Sequence, residues 1–430
     1  MKGRPAPVAA PPGGVDGSRL ARRLRLRDAV FIGLGSMIGA GIFAAIGPAA
    51  DAAESWLLVS LGVAGAVALC NALSSAQLAA IYPAAGGTYV YGRERLGEFW
   101  GFLAGWGFVI GKVASCAAMA LTFGYYANED FARVLAVVAV IAFTLVNVLG
   151  VRKTAAVTTL LVLAVLATLT LPITAGLTLD SADFSRALPS GGPPGGLGVV
   201  EAAGLLFFAF AGYARIATLG EEVVEPERTI PRAIPLAFAI TLAVYALVIA
   251  SALVALGPEG MAASAAPLAD VMDAGALSGL TPLLRAGAAL ASLSVLLSLL
   301  AGVSRTAFAM ARERDLPGWL GVVHRRYETP HRAETAVGAV VAALAATLDL
   351  RDAIGFSAFA VLLYYALANA SAWTLDERER RWPRWIAVAG LAGCVTLAST
   401  LPLSATLPGV ALFACGALYY LARHRMTPGA

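Results

Sequence analysis

The stretch Gly33-Leu34-Gly35-Ser36-Met37-Ile38-Gly39-Ala40-Gly41-Ile42-Phe43 holds the residues of this chain best placed to do chemistry. It carries no reactive side chain; what it offers is main chain. The run lies inside an uncharged segment from Ala29 to Ala50. At about 1.5 Å per residue that segment is long enough to cross a hydrocarbon core of roughly 30 Å. Yet Gly39-Ala40-Gly41 at its centre is poor helix, each glycine costing about 1 kcal/mol against alanine. An unwound turn at that depth is tolerated only where protein buries it or water reaches it. It presents amide donors one way and carbonyl acceptors the other, the complement of a small zwitterion. Close helix packing is the competing explanation for small residues in a bilayer. Five glycines in one span (33, 35, 39, 41 and 47), three of them within seven residues, favour a functional break.

Lys112 is the sharpest side-chain signal. It falls inside the apolar run Trp106–Tyr126 and is one of three lysines among 31 basic residues. An ionisable group at that depth costs at least about 2.5–3.5 kcal/mol unless paired or wetted, and marks function by default. Two roles are open to it: a proton carrier, or an electrostatic filter that repels cationic and attracts acidic substrates. A structural lysine bonded to helix-end carbonyls is the plain alternative.

These groups need an apolar frame to position them, and composition supplies one. Of 430 residues, 59% are hydrophobic and only 13% charged, half the charge of a soluble protein, with a mean hydropathy of +0.77. The chain reads as an all-α integral membrane protein. Cys70, Cys116, Cys394 and Cys415 all sit in apolar runs without metal spacing and read as packing residues. His324, His331 and His424 fall outside the spans, which argues against haem or a His-ligated intramembrane metal. No phosphate-binding G-x-x-x-x-G-K-[ST] pattern occurs, so transport would run on gradients or exchange. No cofactor and no nucleic-acid partner is expected.

Residues 1–27 read as a disordered, basic tail, and the apolar run that follows is too long for a cleaved signal peptide. Spans are expected at 29–50, 54–81, 98–126, 130–149, 155–179, 197–220, 232–256, 282–311, 334–350, 353–375, 384–401 and 407–423, about twelve in all. An even number puts both termini on one side. The tails and even-numbered connections carry 24 Lys and Arg, against Arg133, Arg186, Arg285 and Arg351 opposite. That bias places both termini in the cytoplasm. The sixth span is anomalous, because the charge-free run between Glu201 and Arg215 is only 13 residues. It holds Phe207-Phe208-Ala209-Phe210-Ala211-Gly212-Tyr213 and falls five spans after the first. Two interrupted helices at matching positions of two halves point to an inverted repeat with a site between them.

Gly35 to Phe43 resembles the first-helix signature of the amino acid–polyamine–organocation (APC) transporter family. Tyr82-Pro83-Ala84-Ala85-Gly86-Gly87-Thr88-Tyr89-Val90-Tyr91 and Leu96 to Trp106 resemble its following segments. Phe207 to Tyr213, with Glu221-Glu222 and Glu225-Pro226-Glu227-Arg228-Thr229-Ile230-Pro231-Arg232-Ala233, is similar to its sixth helix and next loop. Leu316-Pro317 and Thr329-Pro330 resemble the loop after helix 8. The resemblance implies a five-plus-five inverted repeat with broken helices 1 and 6 (28–179 and 197–375), two additional helices (376–423) and a short tail (424–430). It also implies an amino-acid-type substrate and alternating access.

Under that resemblance the amides near Gly39, Ala40 and Gly41 suit an α-carboxylate, since helix dipole and unpaired donors act together. Carbonyls near Ser36, Met37, Phe207, Phe208 and Phe210 suit an α-ammonium. Ile38, Lys112, Cys116, Ala211 and Tyr213 are candidates for pocket or gate, and Phe210 for an aromatic wall. Arg215, Glu221, Glu222 and Arg305 are candidates for an inner-gate or coupling network, a static salt bridge being equally open to them. Two family features are missing. The helix 5 lysine that serves proton coupling in some members falls at Val165, and the acid of arginine exchangers falls at Ala214. The expected function is a secondary amino-acid transporter, proton-coupled or exchanging, with an amino acid/amine antiporter or exporter as the near alternative. A channel would want rings of like charge, and a membrane-embedded enzyme a cluster of acids or histidines at span depth. The expected assembly is a monomer or homodimer in the bilayer.

Overall fold

The computed structural model describes residues 24–82, 86–150, 155–180, 182–213, 216 and 223–426. Helix α1 (Leu26–Met37) opens with Asp28 accepting from the Arg25 amide at 2.8 Å, which satisfies a donor with no helical partner. It stops at Ile38 and Gly39, and α2 (Ala40–Ala53) resumes. Then come α3 (Leu57–Ile81), α4 (Thr88–Leu96), α5 (Glu98–Ala127), α6 (Ala132–Val148), α7 (Ala155–Leu177) and α8 (Gly198–Phe210). The second half of the chain forms α9 (Pro226–Ala263), α10 (Pro267–Asp273), α11 (Thr281–Arg312), α12 (His331–Thr347), α13 (Leu350–Trp373), α14 (Arg384–Thr400) and α15 (Leu403–Met426). Among the described residues there is no strand, only an isolated pairing of Leu24 with Val223.

Seven stretches of the described residues are long and apolar enough to cross a membrane, the first of them holding both α2 and α3. Three shorter apolar helices, Ala132–Val148, Gly198–Tyr213 and Arg384–Thr400, stand beside them. Their packing is that of a lipid-soluble bundle. On α6, Val134, Val138, Ile141 and Leu145 are each more than half exposed, and on α15 so are Leu403, Leu407, Val410 and Leu418. Water would expel stripes of that kind; acyl chains solvate them. The interior is built from small residues instead. Ala64, Ala68, Ala72 and Ala76 recur every fourth residue along α3 and are fully buried, a spacing that keeps one helix face flat against its neighbours. α5 and α13 are the central pillars, α2 lies on α8, and α1 lies on α9.

Most expected spans match helices within a few residues. The ninth and tenth need a correction of boundary: the chain turns at Leu348, and Asp349 caps α13 by accepting from the Arg351 amide at 2.8 Å. The seventh span ends where expected, at Leu256, because Gly257 (φ 69°) takes a conformation that L side chains rarely adopt. Helices α4 and α10 were not expected. α4 is short and polar, carries Arg93 and Arg95 in its last turn, and belongs to no span.

Three ties hold α4 to the arginine-rich face. Tyr89 donates to Asp315 Oδ2 at 2.7 Å, and Arg93 Nη1 reaches the same oxygen at 3.1 Å. Arg95 Nη2 pairs with Glu379 Oε1 at 2.8 Å, and the Thr88 amide donates to Tyr364 Oη at 3.1 Å. The two acids respond oppositely. Burial pushes the Asp315 carboxyl up, against the pull of Tyr89 and Arg93. The hydrogen bond from Arg95 holds Glu379 below the ordinary carboxylate value.

Candidate functional site

The gap between α1 and α2 is two residues long. The Ile38 amide still bonds Leu34 O, the Gly39 amide turns back to Met37 O at 2.9 Å, and helix resumes at Ala40. By position, the first-turn amides of Ala40, Gly41 and Ile42 have no helical carbonyl behind them. The opening therefore sits one residue earlier than the glycine pattern suggested. The Gly39 amide is already engaged, and Ile42, absent from the sequence-based donors, joins Ala40 and Gly41.

Against this end lies the end of α8. The Ala211 amide bonds Phe208 O, and a 3₁₀ turn, Ala211–Tyr213, follows. The shortened turn bypasses the Phe207 carbonyl, leaving it without its usual helical donor. The two ends cross in contact. A Cβ added at Gly41 would come within 2.8 Å of Ala209 Cα, and one at Gly212 would overlap the Ser36 carbonyl. Close approach of backbone to backbone is what these two glycines permit. Gly33 and Gly47 also serve packing, against Ile216 and against the Met261 and Ser264 carbonyls. The glycine run thus contains both a helix interruption and packing positions, at different residues.

Two tyrosines fasten the crossing. Tyr245 of α9, fully buried, places its hydroxyl 2.6 Å from Met37 O and 3.0 Å from Ala209 O, one proton shared between a carbonyl of each helix. Tyr365 of α13 donates to Ala211 O at 3.0 Å. Of the expected ammonium acceptors, Met37 and Phe208 are therefore occupied by protein donors, while Ser36, Phe207 and Phe210 carry the remaining acceptor capacity. Ser36 Oγ is turned away, bonding Ile32 O at 2.8 Å. Phe210 is pinned between Phe238 and Tyr245, with ring centroids 5.3 and 5.1 Å away. Tyr213 stacks on Tyr365 at 4.9 Å, and its hydroxyl has no hydrogen-bond partner. Ile38, Ala211, Phe207 and Tyr213 are all buried, while Ser36 and Gly212 at the crossing are half-buried. Val295 of α11 covers Gly39.

The other expected residues scatter. Lys112 and Cys116 are buried on α5, one turn apart, and no described contact joins either to the crossing. Among the described residues Lys112 has no ion pair within 4.0 Å, and Cys116 lies in the electrostatic neighbourhood of Lys112 and Glu334. Arg305 is exposed on α11, also without an ion pair within that range among the described residues. Arg215, Glu221 and Glu222 lie outside the described residues. Val165 is buried on α7.

Tyr245, Tyr365 and Val295 were missed from sequence. The one tyrosine of the 232–256 run was a usable signal, since a buried phenol needs a partner. A valine in an apolar span carries none.

A family model described as "Amino acid permease" matches residues 24–424. An uncharacterized transporter of Mycobacterium tuberculosis is 59% identical over 408 residues, covering 95% of this chain and 92% of that protein. The branched-chain amino acid permease of Bacillus subtilis is 25% identical over 421 residues (92% and 87% covered). The chloroplastic cationic amino acid transporter 6 of Arabidopsis thaliana is 29% identical over 386 residues (83% and 66% covered).

Proposed function

The chain belongs to the amino acid permease family, and from that premise we propose that it is a secondary transporter that binds an amino acid at the crossing of α1–α2 with α8. The observation that carries this reading is the contact between a helix start and a helix end, donors of one beside acceptors of the other. The α-carboxylate lies on the first-turn amides of Ala40, Gly41 and Ile42, where dipole and donors reinforce each other. The α-ammonium lies on the Ser36 and Phe207 carbonyls, with Phe210 completing the acceptor side. The side chain faces a wall of Ile38, Phe208 and Val295. Twelve spans in a five-plus-five inverted repeat with two additional helices frame the site, and the 24-to-4 arginine and lysine bias puts both termini in the cytoplasm.

Alternating access rearranges this crossing between outward-open and inward-open forms. Tyr245 is the positioning residue, since its hydroxyl ties both helices and must let go of one carbonyl when they part. Arg215, Glu221, Glu222 and Arg305 belong to the inner gate. Coupling is to protons or to exchange. Lys112 on α5, and Ala214 where arginine exchangers carry an acid, support neutral over cationic side chains; the relatives point both ways, to a branched-chain permease and to a cationic transporter.

Purified protein in liposomes tests the reading. Radiolabelled leucine shows saturable uptake and counterflow, competed by unlabelled neutral amino acids and not by arginine. Leakage that neither saturates nor exchanges overturns it.

A further inference from the structure

α12 carries a feature that the crossing does not use. Glu334, one turn into that helix, is 4% exposed, and its Oε2 has no hydrogen-bond partner. Ser304 of α11 lies beside the carboxyl, but the Ser304 hydroxyl proton is committed to Leu300 O at 2.8 Å. The Ser304 hydroxyl has one proton for two acceptors, so it can donate to an ionised Glu334 only by letting go of Leu300 O.

The surroundings fit the same reading. Helix α12 packs on α5, α6, α11 and the 3₁₀ turn Gly318–Gly321. From α5 the group facing Glu334 is Cys116, one turn from Lys112; from α11 it is Arg305. The 3₁₀ turn has no titratable residue, and the lone one of α6, Arg133, bonds Ala346 O at the far end of α12. On α12 itself, His331 and Arg332 lie toward the arginine-rich face, His331 with its Nδ1 unpartnered and its ring 5.0 Å from that of His324. No ion pair within 4.0 Å neutralises Glu334 among the described residues. An unpaired acid inside an apolar bundle is a site that a proton fills.

We propose that Glu334 binds an exchangeable proton between α5, α11 and α12, and that this proton is the coupling ion of transport. The inference rests on the transporter reading and moves the coupling group from Lys112 to Glu334. Loading comes from the arginine-rich face by way of His331. Carboxyl protonation returns the Ser304 proton to Leu300 O, and release leaves a charge that draws that proton back and that α5 and α11 must accommodate.

Two measurements decide it. Infrared difference spectra of the wild type in liposomes, recorded across a pH titration, show a carboxylic-acid C=O band that is lost in Glu334→Gln and shifted in Glu334→Asp. A spectrum unchanged by both substitutions overturns the site. The second is accumulation of radiolabelled leucine under a one-unit pH gradient, which is worth about a tenfold ratio for one proton per substrate. Wild type approaches that ratio, Glu334→Gln falls to about onefold while keeping counterflow, and Glu334→Asp retains most of it. Equal accumulation by wild type and Glu334→Gln overturns the coupling role and leaves the transporter reading standing. Where the wild type neither takes up nor exchanges leucine, that reading fails for leucine, and the infrared result alone judges the proton site.

Discussion

The two chain breaks meet at one place yet are made differently. Between α1 and α2 the chain opens locally: two residues leave helical geometry, Gly39 folds its amide back to Met37, and helix resumes at once. At the end of α8 nothing opens so abruptly. The helix tightens into a 3₁₀ turn, and its carbonyls are taken by hydroxyls from α9 and α13. The first break is written in its own residues and the second in its neighbours. One consequence is that the first can shift its own donors, whereas the second is released only when other helices move.

Substitutions separate the two. The largest effect is expected at Gly212, where an added methyl collides with the Ser36 backbone. Backbone cannot rotate aside, so Gly212→Ala should cost more than the usual overpacking range of about 1–3 kcal/mol and abolish leucine counterflow. Survival of counterflow in that variant would mean the two ends need not touch. Tyr245→Phe comes next. It removes the proton shared by Ala209 O and by Met37 O, which keeps only the Gly39 amide, at about 1–3 kcal/mol for an unsatisfied group, and should slow exchange roughly tenfold with a drop in melting temperature. Tyr365→Phe, which strips one carbonyl, should do less by both assays; an equal or larger loss would reverse the assignment of Tyr245 as the shared fastener.

Gly39→Ala should be milder still. Its new methyl meets Val295, a side chain at the edge of the site, and Gly39→Ala with Val295→Ala should recover wild-type exchange. Failure of that rescue would show that Gly39 is needed for its backbone and not for space. Smallest is the pH response of the α4 tie. The Glu379 value lies below its unfolded one, so this pair contributes stability above the ordinary carboxylate value and loses it as pH falls through the depressed one. Asp315 runs the other way, its raised value making ionisation unfavourable to the fold as pH rises through the ordinary range toward it. Melting curves of Glu379→Gln and wild type should converge in acid and separate near neutrality by well under about 1 kcal/mol, as for a partly exposed pair.

These differences also set what could be read before any coordinates. Apolar runs and charge placed nearly every long helix, because a bilayer demands long apolar runs whatever their neighbours do. The glycine run located the first break to within a residue, since its cause is local. The caps of the second break come from Tyr245 and Tyr365, 36 and 154 residues away from the carbonyls they serve, and only packing brings them in. Lys112 stood out because a cation inside an apolar run has no ordinary explanation. Glu334 did not, because an acid in the first turn of a helix is the commonest of patterns, and nothing in its spacing says that α5 and α11 close over it.

The alanine face of α3 has a last implication. Alanine has no rotamers to lose, so a helix seated on Ala64, Ala68, Ala72 and Ala76 can slide to a new seat without freezing or thawing side chains. Interdigitated leucines would make each displacement a re-threading of knobs and sockets, with a barrier to match. This bundle resembles smooth bearings more than gear teeth, which suits the rearrangement proposed for the crossing.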